Sequence, residues 1–227
     1  MLMRRSARAS LAAILLFTDI AAASPFDPPV SYPLTYWAHG VSIGDVNGDG
    51  LADVAVAQGS VLLLLGNRAG FDGPQTVAHG SGDARYAAIE DVDGDGDRDL
   101  VVLIRDGDAM IVVLRNQGDG SFGLPEPYGT PDVTHRLRIA DVDRDGDPDA
   151  LVMSGFSEGG IFTVLRNDGS GAFTNAEAYV VTPPFFFYTA DIAVADLNLD
   201  GYPDVAGGIF GEVVTLLNDG TGGFLPR

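Results

Sequence analysis

A chain of 227 residues that lacks cysteine and carries a formal charge of −19 excludes several chemistries before any motif is read. Disulfides, thiolate metal sites and a cysteine nucleophile are ruled out, and the charge has the wrong sign for nucleic acid, whose phosphates reward lysine and arginine. Hydrophobic residues make up 46% of the chain, enough for one sizeable core or a short array of repeats.

The N-terminus reads as an export signal. Arg4, Arg5 and Arg8 precede an apolar run at residues 11–17, and Ala21 and Ala23 supply the small residues before a cut. Thr18 and Asp19 end the run too early for a membrane span. Residues 1–23 are therefore expected to be a secretion signal peptide, and residues 24–227 a secreted, extracellular or periplasmic domain with no membrane span.

From there one pattern recurs. An acidic loop of the form D-x-[DN]-x-D-G-x-x-D occupies residues 45–53, 91–99, 141–149 and 196–204. These loops and the residues directly before them hold seventeen of the 32 acidic residues, so the acidity is local. Each loop runs into an apolar stretch, such as residues 54–56 or 100–103, and then a second at 61–65, 110–114, 161–165 or 213–217. Turn clusters follow, GNRAGF, RNQGDGSF, RNDGSGAF and LNDGTGGF, whose Asn and Gly are expected to supply positive φ angles. Phe71, Phe122, Phe173 and Phe224 close these clusters at a spacing of 51, and Val77, Tyr128 and Tyr179 stand six residues further on in a predicted outer strand.

No stretch beyond residue 23 has helical periodicity. Four strands per unit of about fifty residues is the pattern of a propeller blade, and the fold class is all-β: a β-propeller of four-stranded antiparallel blades, four in this chain. The segment FDPPVSY from Phe26 repeats FDGPQTV from Phe71, and the chain stops at GGFLPR where an outer strand should begin. Residues 26–34 are accordingly expected to pair with residues 213–217 and close a ring; a partial, larger propeller is the alternative.

The loops carry oxygen ligands at the density that calcium needs. Side chains at positions 1, 3, 5 and 9 converge: Asp45, Asn47, Asp49 and Asp53; Asp91, Asp93, Asp95 and Asp99; Asp141, Asp143, Asp145 and Asp149; Asp196, Asn198, Asp200 and Asp204. Glycine at position 6 allows a sharp turn, and position 7 (Leu51, Asp97, Asp147, Tyr202) offers its backbone carbonyl. A helix–loop–helix calcium hand requires glutamate at position 12; Val56, Val102, Val152 and Gly207 stand there instead, so each loop joins two strands. Asx-turns without metal would account for any one loop, but fourfold repetition of three or four carboxylates per turn favours a bound Ca2+. The second and third loops, with four aspartates each as side-chain ligands, are expected to bind it more tightly than the first and fourth.

These units resemble FG-GAP (VCBS-type) repeats, the calcium-loop propeller blades of the integrin α-subunit head and of many secreted bacterial proteins. The resemblance implies a propeller with calcium in the hairpin between the first and second strands of each blade. Such propellers commonly have seven blades; this chain supplies four. It also implies a module for adhesion or for binding an extracellular protein or polysaccharide, with a carbohydrate-active enzyme (polysaccharide lyase or hydrolase), or an accessory domain of one, as the alternative. The sequence offers no G-x-S-x-G, no H-E-x-x-H and only three histidines.

One further set stands outside the loops. Six residues before the first loop aspartate lie His39, Arg85, His135 and Ala190, with Trp37, Tyr86, Arg136 and Tyr188 close by. If first strands line the propeller axis, His39, Arg85, His135 and Arg136 gather at one mouth, where an acidic sugar or a peptide carboxylate would be the matching ligand.

Overall fold

Apolar residues on either side of each aspartate loop pair as antiparallel strands, in the order their periodicity requires. The computed structural model describes residues 30–105, 110–130, 134–155, 160–180, 189–209 and 212–226. The chain divides into two units, Met1–Pro33 and Leu34–Arg227. Of the first unit, residues 30–33 are described and have no regular structure; the signal segment lies outside the described residues.

In the second unit the first sheet comprises β1 (Gly40–Gly44), β2 (Asp53–Ala57), β3 (Val61–Leu64) and, after a small hairpin of β4 (Gly66–Asn67) and β5 (Gly70–Phe71), β6 (Gln75–Val77). The second comprises β7 (Ala84–Glu90), β8 (Asp99–Ile104), β9 (Met110–Leu114) and β10 (Glu126–Gly129). The third comprises β11 (Thr134–Ala140), β12 (Asp149–Gly155), β13 (Gly160–Asn167) and β14 (Phe173–Val180). The fourth comprises β15 (Thr189–Ala195), β16 (Asp204–Ile209), β17 (Glu212–Asn218) and β18 (Phe224–Pro226). Each sheet is an antiparallel meander with its strands in sequence order, and each acidic loop joins the first strand to the second. Four-stranded antiparallel blades are what the sequence predicts.

Three cores lie between successive sheets. Ala55, Val61 and Leu63 meet Ile89, Leu100 and Leu114 between the first and second. Val101 and Val113 meet Leu137, Val152 and Leu165 between the second and third. Met153, Phe162 and Val164 meet Ile192, Val205 and Leu216 between the third and fourth. Central strands such as β8, buried along their whole length, therefore read as continuous apolar runs rather than as alternation. The recurring phenylalanines are part of these interfaces. Phe173 packs edge-on against Tyr128 of the preceding blade (centroids 5.8 Å apart), and Phe224 does the same against Tyr179 (5.7 Å).

Each interface is also stitched by one asparagine. Asn116 Nδ2 donates to the carbonyl of Val46 in the preceding blade (2.6 Å), Asn167 to Val92 (2.7 Å) and Asn218 to Val142 (2.7 Å). A second bond from the same amide holds Arg98, Pro148 or Pro203 in its own blade, at 2.8, 3.1 and 3.0 Å. These asparagines were expected to supply positive φ, and they do not. Among the described residues, the only non-glycine positions with positive φ are Arg144 and Leu199; in the turn clusters glycines such as Gly118 and Gly120 reverse the chain. In the first blade the stitching place is held by Gly66, where a Cβ would come within 2.3 Å of the Ala52 carbonyl oxygen, so no side chain fits.

The four sheets do not close on themselves; of the two arrangements expected, they follow the open one. First strands pack in succession, β1 on β7, β7 on β11 and β11 on β15. The proposed closing strand lies outside the described residues as far as residue 29, and residues 30–34 form no strand. The fourth sheet takes its outer strand from its own C-terminus, where Phe224, Leu225 and Pro226 pair with Asn218, Leu217 and Leu216.

Candidate metal centres

The four acidic loops share one hydrogen-bonding scheme, built from aspartate's preference for bonding backbone a few residues ahead. The position-1 carboxylate accepts two N–H groups, from positions 4 and 6. For Asp45 these come from Gly48 and Gly50 (both 2.8 Å), and for Asp91 from Gly94 (2.8 Å) and Gly96 (3.0 Å). For Asp141 they come from Arg144 (2.7 Å) and Gly146 (3.1 Å), and for Asp196 from Leu199 (2.6 Å) and Gly201 (2.9 Å). Position 3 accepts from the N–H of position 5: Asp49 to Asn47, Asp95 to Asp93, Asp145 to Asp143, Asp200 to Asn198. Position 5 accepts from position 7, so Leu51, Asp97, Asp147 and Tyr202 each donate an N–H to the loop. Two positive φ angles, at positions 4 and 6, make this winding possible. Arg144 (65°) and Leu199 (64°) accept the left-handed conformation without being glycine, held there by the position-1 carboxylate.

Position 9 is different in kind. Asp53, Asp99, Asp149 and Asp204 are buried, and each divides its two oxygens between loop and sheet. One oxygen accepts the N–H of position 2 (Val46, Val92, Val142, Leu197), and the other accepts an N–H at the end of the third strand (Gly66, Asn116, Asn167, Asn218). Burial pushes the Asp99 carboxyl up to about 6 and raises that of Asp149, with the backbone N–H bonds opposing it only in part. Arg166 Nη1 reaches Asp149 at 3.1 Å, and a cation in the loop would add positive charge beside each of the four.

In the second and third loops, positions 1, 3 and 9 gather: carboxylate oxygens of Asp91, Asp93 and Asp99 lie within 4.8 Å of one another, as do those of Asp141, Asp143 and Asp149. Oxygens at that separation fit around one hard cation bound at about 2.3–2.6 Å. The donor set is oxygen alone, which suits calcium. Asp95 and Asp145 stand outside that gathering. The sequence-based reading missed two further side chains at these loops, Arg115 and Arg166, which reach Asp93 and Asp143 from the third strands.

Of the residues expected at the mouth, the structure brings His39 and Arg85 into contact. Arg85 donates to Nε2 of His39 (2.9 Å) and is paired with Asp83 (2.5 Å). Arg136 lies 3.8 Å from Asp191, which holds Arg138 more closely (2.7 Å); Arg138 also donates to the Tyr86 hydroxyl (2.9 Å) and lies over its ring. His135 is half-buried on β11, where its backbone carbonyl accepts from Arg136, and Tyr188 lies outside the described residues. Arg85, Arg136 and Arg138 thus each have an acidic neighbour, Asp83 or Asp191, which sequence reasoning could not place. Beside His39 a groove of about 530 Å³ is lined by Tyr36, Trp37, Gln58, Ser60 and Asp83. Trp37 is 88% exposed, and the Tyr36 N–H donates to Gln58 (3.1 Å).

Stacked four-stranded blades with an aspartate hairpin at one end of each define a propeller-type repeat protein. The FG-GAP-like repeat matches residues 91–152 and 153–207, and the FG-GAP repeat matches residues 37–70. The chain belongs to the FG-GAP repeat family. Among solved structures it is similar to a lectin of Agrocybe aegerita described for specific recognition of non-reducing terminal N-acetylglucosamine, with 23% identity and a TM-score of 0.55. That match covers 81% of this chain and 50% of the lectin, so the chain spans about half the lectin's length. It is also similar to the Tc holotoxin pore of Photorhabdus luminescens, with 19% identity and a TM-score of 0.48, over 80% of this chain and 8% of the other.

Proposed function

We propose that the chain is an exported binding module whose four acidic loops hold calcium and whose groove beside β1 takes a carbohydrate. The observation that carries the calcium reading is the convergence of Asp91, Asp93 and Asp99, and of Asp141, Asp143 and Asp149, around one point in each loop. Bound there, calcium offsets the mutual repulsion of the carboxylates and fixes each hairpin between its two strands.

The carbohydrate reading rests on the groove. An exposed tryptophan and tyrosine give flat apolar faces for a sugar ring, and Ser60 and Asp83 give hydroxyl partners beside them. The nearby arginine is committed to Asp83, which favours a neutral sugar over the anionic ligand that the sequence suggested. The lectin resemblance makes N-acetylglucosamine-terminated glycans the first ligands to test. Export follows from the signal segment, and among the described residues no helix is long and apolar enough to cross a membrane.

Two measurements test this reading. Excess chelator is expected to lower the melting temperature, with calcium restoring it better than magnesium, which demands stricter octahedral geometry; an unchanged melting curve ends the calcium reading. On a glycan array, binding is expected to be lost in Trp37→Ala while the calcium-dependent melting stays intact. Equal binding by wild type and variant removes the groove from the proposal, and turnover of an arrayed glycan would favour the enzymatic alternative.

A further inference from the structure

The four loops are not one design repeated. Position 3 is aspartate in the second and third loops (Asp93, Asp143) and asparagine in the first and fourth (Asn47, Asn198). Four other positions change with it, among them position 7, which is Asp97 or Asp147 in the second and third loops and Leu51 or Tyr202 in the others. The residue just before the one that donates to the position-9 aspartate is Arg115 or Arg166 in the second and third blades, and Leu65 or Leu217 in the others. On the outer strand, Glu126 and Tyr128, or Glu177 and Tyr179, stand where the first blade has Gln75 and Val77.

In the second and third blades these residues join. Arg115 Nη1 lies 3.1 Å from Asp93 Oδ2, and its Nη2 lies 3.3 Å from Glu126, which accepts from the Tyr128 hydroxyl at 3.2 Å. Arg166 Nη1 lies 3.5 Å from Asp143 and 3.1 Å from Asp149, and its Nη2 lies 3.6 Å from Glu177, which accepts from the Tyr179 hydroxyl at 2.8 Å. Both arginine side chains are largely buried, 19% and 14% exposed, so water screens their pairs with Asp93 and Asp143 less than those with the more exposed Glu126 and Glu177. In the first loop the Asn47 amide donates instead to Asp49 (3.2 Å), and in the fourth Asn198 donates to Asp200 (2.8 Å), with no cation required.

Counted over position 3 and the arginine that touches it, the exchange conserves charge; Glu126 and Glu177 sit on the other guanidinium nitrogen, Nη2. An asparagine loop offers three carboxylates at positions 1, 5 and 9; an aspartate loop offers four, with one guanidinium against them. Asp97 and Asp147 do not enter this count, because their carboxylates lie against Gly118 and Gly169 in the turn after the third strand. We propose that Arg115 and Arg166 are charge-balancing positioning residues, each holding the position-3 aspartate, so that all four loops present the same net charge to calcium. The proposal rests on the calcium reading above. It replaces the expectation that the second and third loops bind more tightly because they hold more aspartates.

A calcium titration of the full chain, read loop by loop, tests it. Each position-6 glycine donates its N–H to the position-1 carboxylate, so the amide resonances of Gly50, Gly96, Gly146 and Gly201 report the four loops separately. In wild type the four midpoints are expected to agree within about threefold. Arg115→Leu is expected to move the Gly96 midpoint to about tenfold lower calcium, and Asp93→Asn to about tenfold higher. The double variant, which matches the first blade at these two positions, returns it to within about threefold of wild type, leaving Gly50 unmoved throughout.

An arginine that merely clamps the outer strand would lower the melting temperature with or without calcium and leave the Gly96 midpoint in place; that result, or a rise in the midpoint, overturns the proposal. If Arg115→Leu fails to fold, the first loop supplies the converse test. There Asn47→Asp is expected to lower the Gly50 midpoint and added Leu65→Arg to bring it back, and an unmoved midpoint overturns the proposal equally. Glycine amides that ignore calcium in wild type would end the calcium reading itself, a failure distinct from loops that bind calcium but do not respond to these exchanges.

Discussion

The second residue of each acidic loop sits in the same local structure four times, yet its surroundings differ between the first three blades and the fourth. Val46, Val92 and Val142 are 2%, 1% and 0% exposed, whereas Leu197 is 49% exposed. The loop around them is the same, down to the N–H bond to the position-9 aspartate. What changes is the next sheet, whose asparagine caps the carbonyl and whose apolar face covers the side chain. Burial in this protein is thus a property of the interface between units rather than of the unit, as expected of repeat architectures.

The sharpest way to break an interior interface is to empty it. Phe162 is fully buried between the third and fourth sheets, with ring centroids 5.3 Å from Phe224 and 6.1 Å from Tyr179. Phe162→Ala is expected to cost about 3–5 kcal/mol in urea denaturation with calcium present. The stitch comes next. Asn167→Ala leaves two carbonyls and two turn N–H groups without their partner, and should cost about 2–3 kcal/mol. Asn67→Ala, which removes only exposed bonds within its own turn, should cost about 0.5 kcal/mol in the same assay.

Leu197 and Val142 test the comparison directly. Val142→Ala is expected to cost about 2 kcal/mol, and Leu197→Ala less than about 0.5 kcal/mol, although the second removes more carbon. Equal losses would mean that something covers Leu197 in solution. The smallest effect is expected at the surface pair of Arg98 and Glu90, 3.5 Å apart and exposed, where Arg98→Ala should shift stability by no more than about 0.5 kcal/mol.

Much of this was legible without coordinates because the signals are local. Acidic-loop spacing, strand order and the recurring phenylalanines each lie within one unit of about fifty residues, and repetition separates them from chance. Roles that depend on the neighbouring unit were not legible. Asn116, Asn167 and Asn218 occupy turns, where asparagine already has a local explanation, and their partners lie 70, 75 and 76 residues earlier in the chain. Arg115 and Arg166 did carry a signal, since arginine stands at that place wherever position 3 is aspartate, and leucine (Leu65 before Gly66, Leu217 before Asn218) wherever it is asparagine. It emerges only when the units are compared with one another, and its meaning needs the 3.1 Å contact between Arg115 and Asp93. The acidic partners at the mouth were not legible for the same reason. Asp83 and Asp191, which neutralise its arginines, belong to no repeated motif.

The stitches all point one way: every donor lies in the later blade and every acceptor in the earlier one. A chain emerging from its N-terminus therefore meets each acceptor already in place on a finished hairpin, and each new blade can be tested against the one before it as it is made. Growth from the other end would present three asparagine amides with nothing to bind. The array has a time direction written into it, and a register error in one blade would be caught at the next, when its amide fails to find a carbonyl.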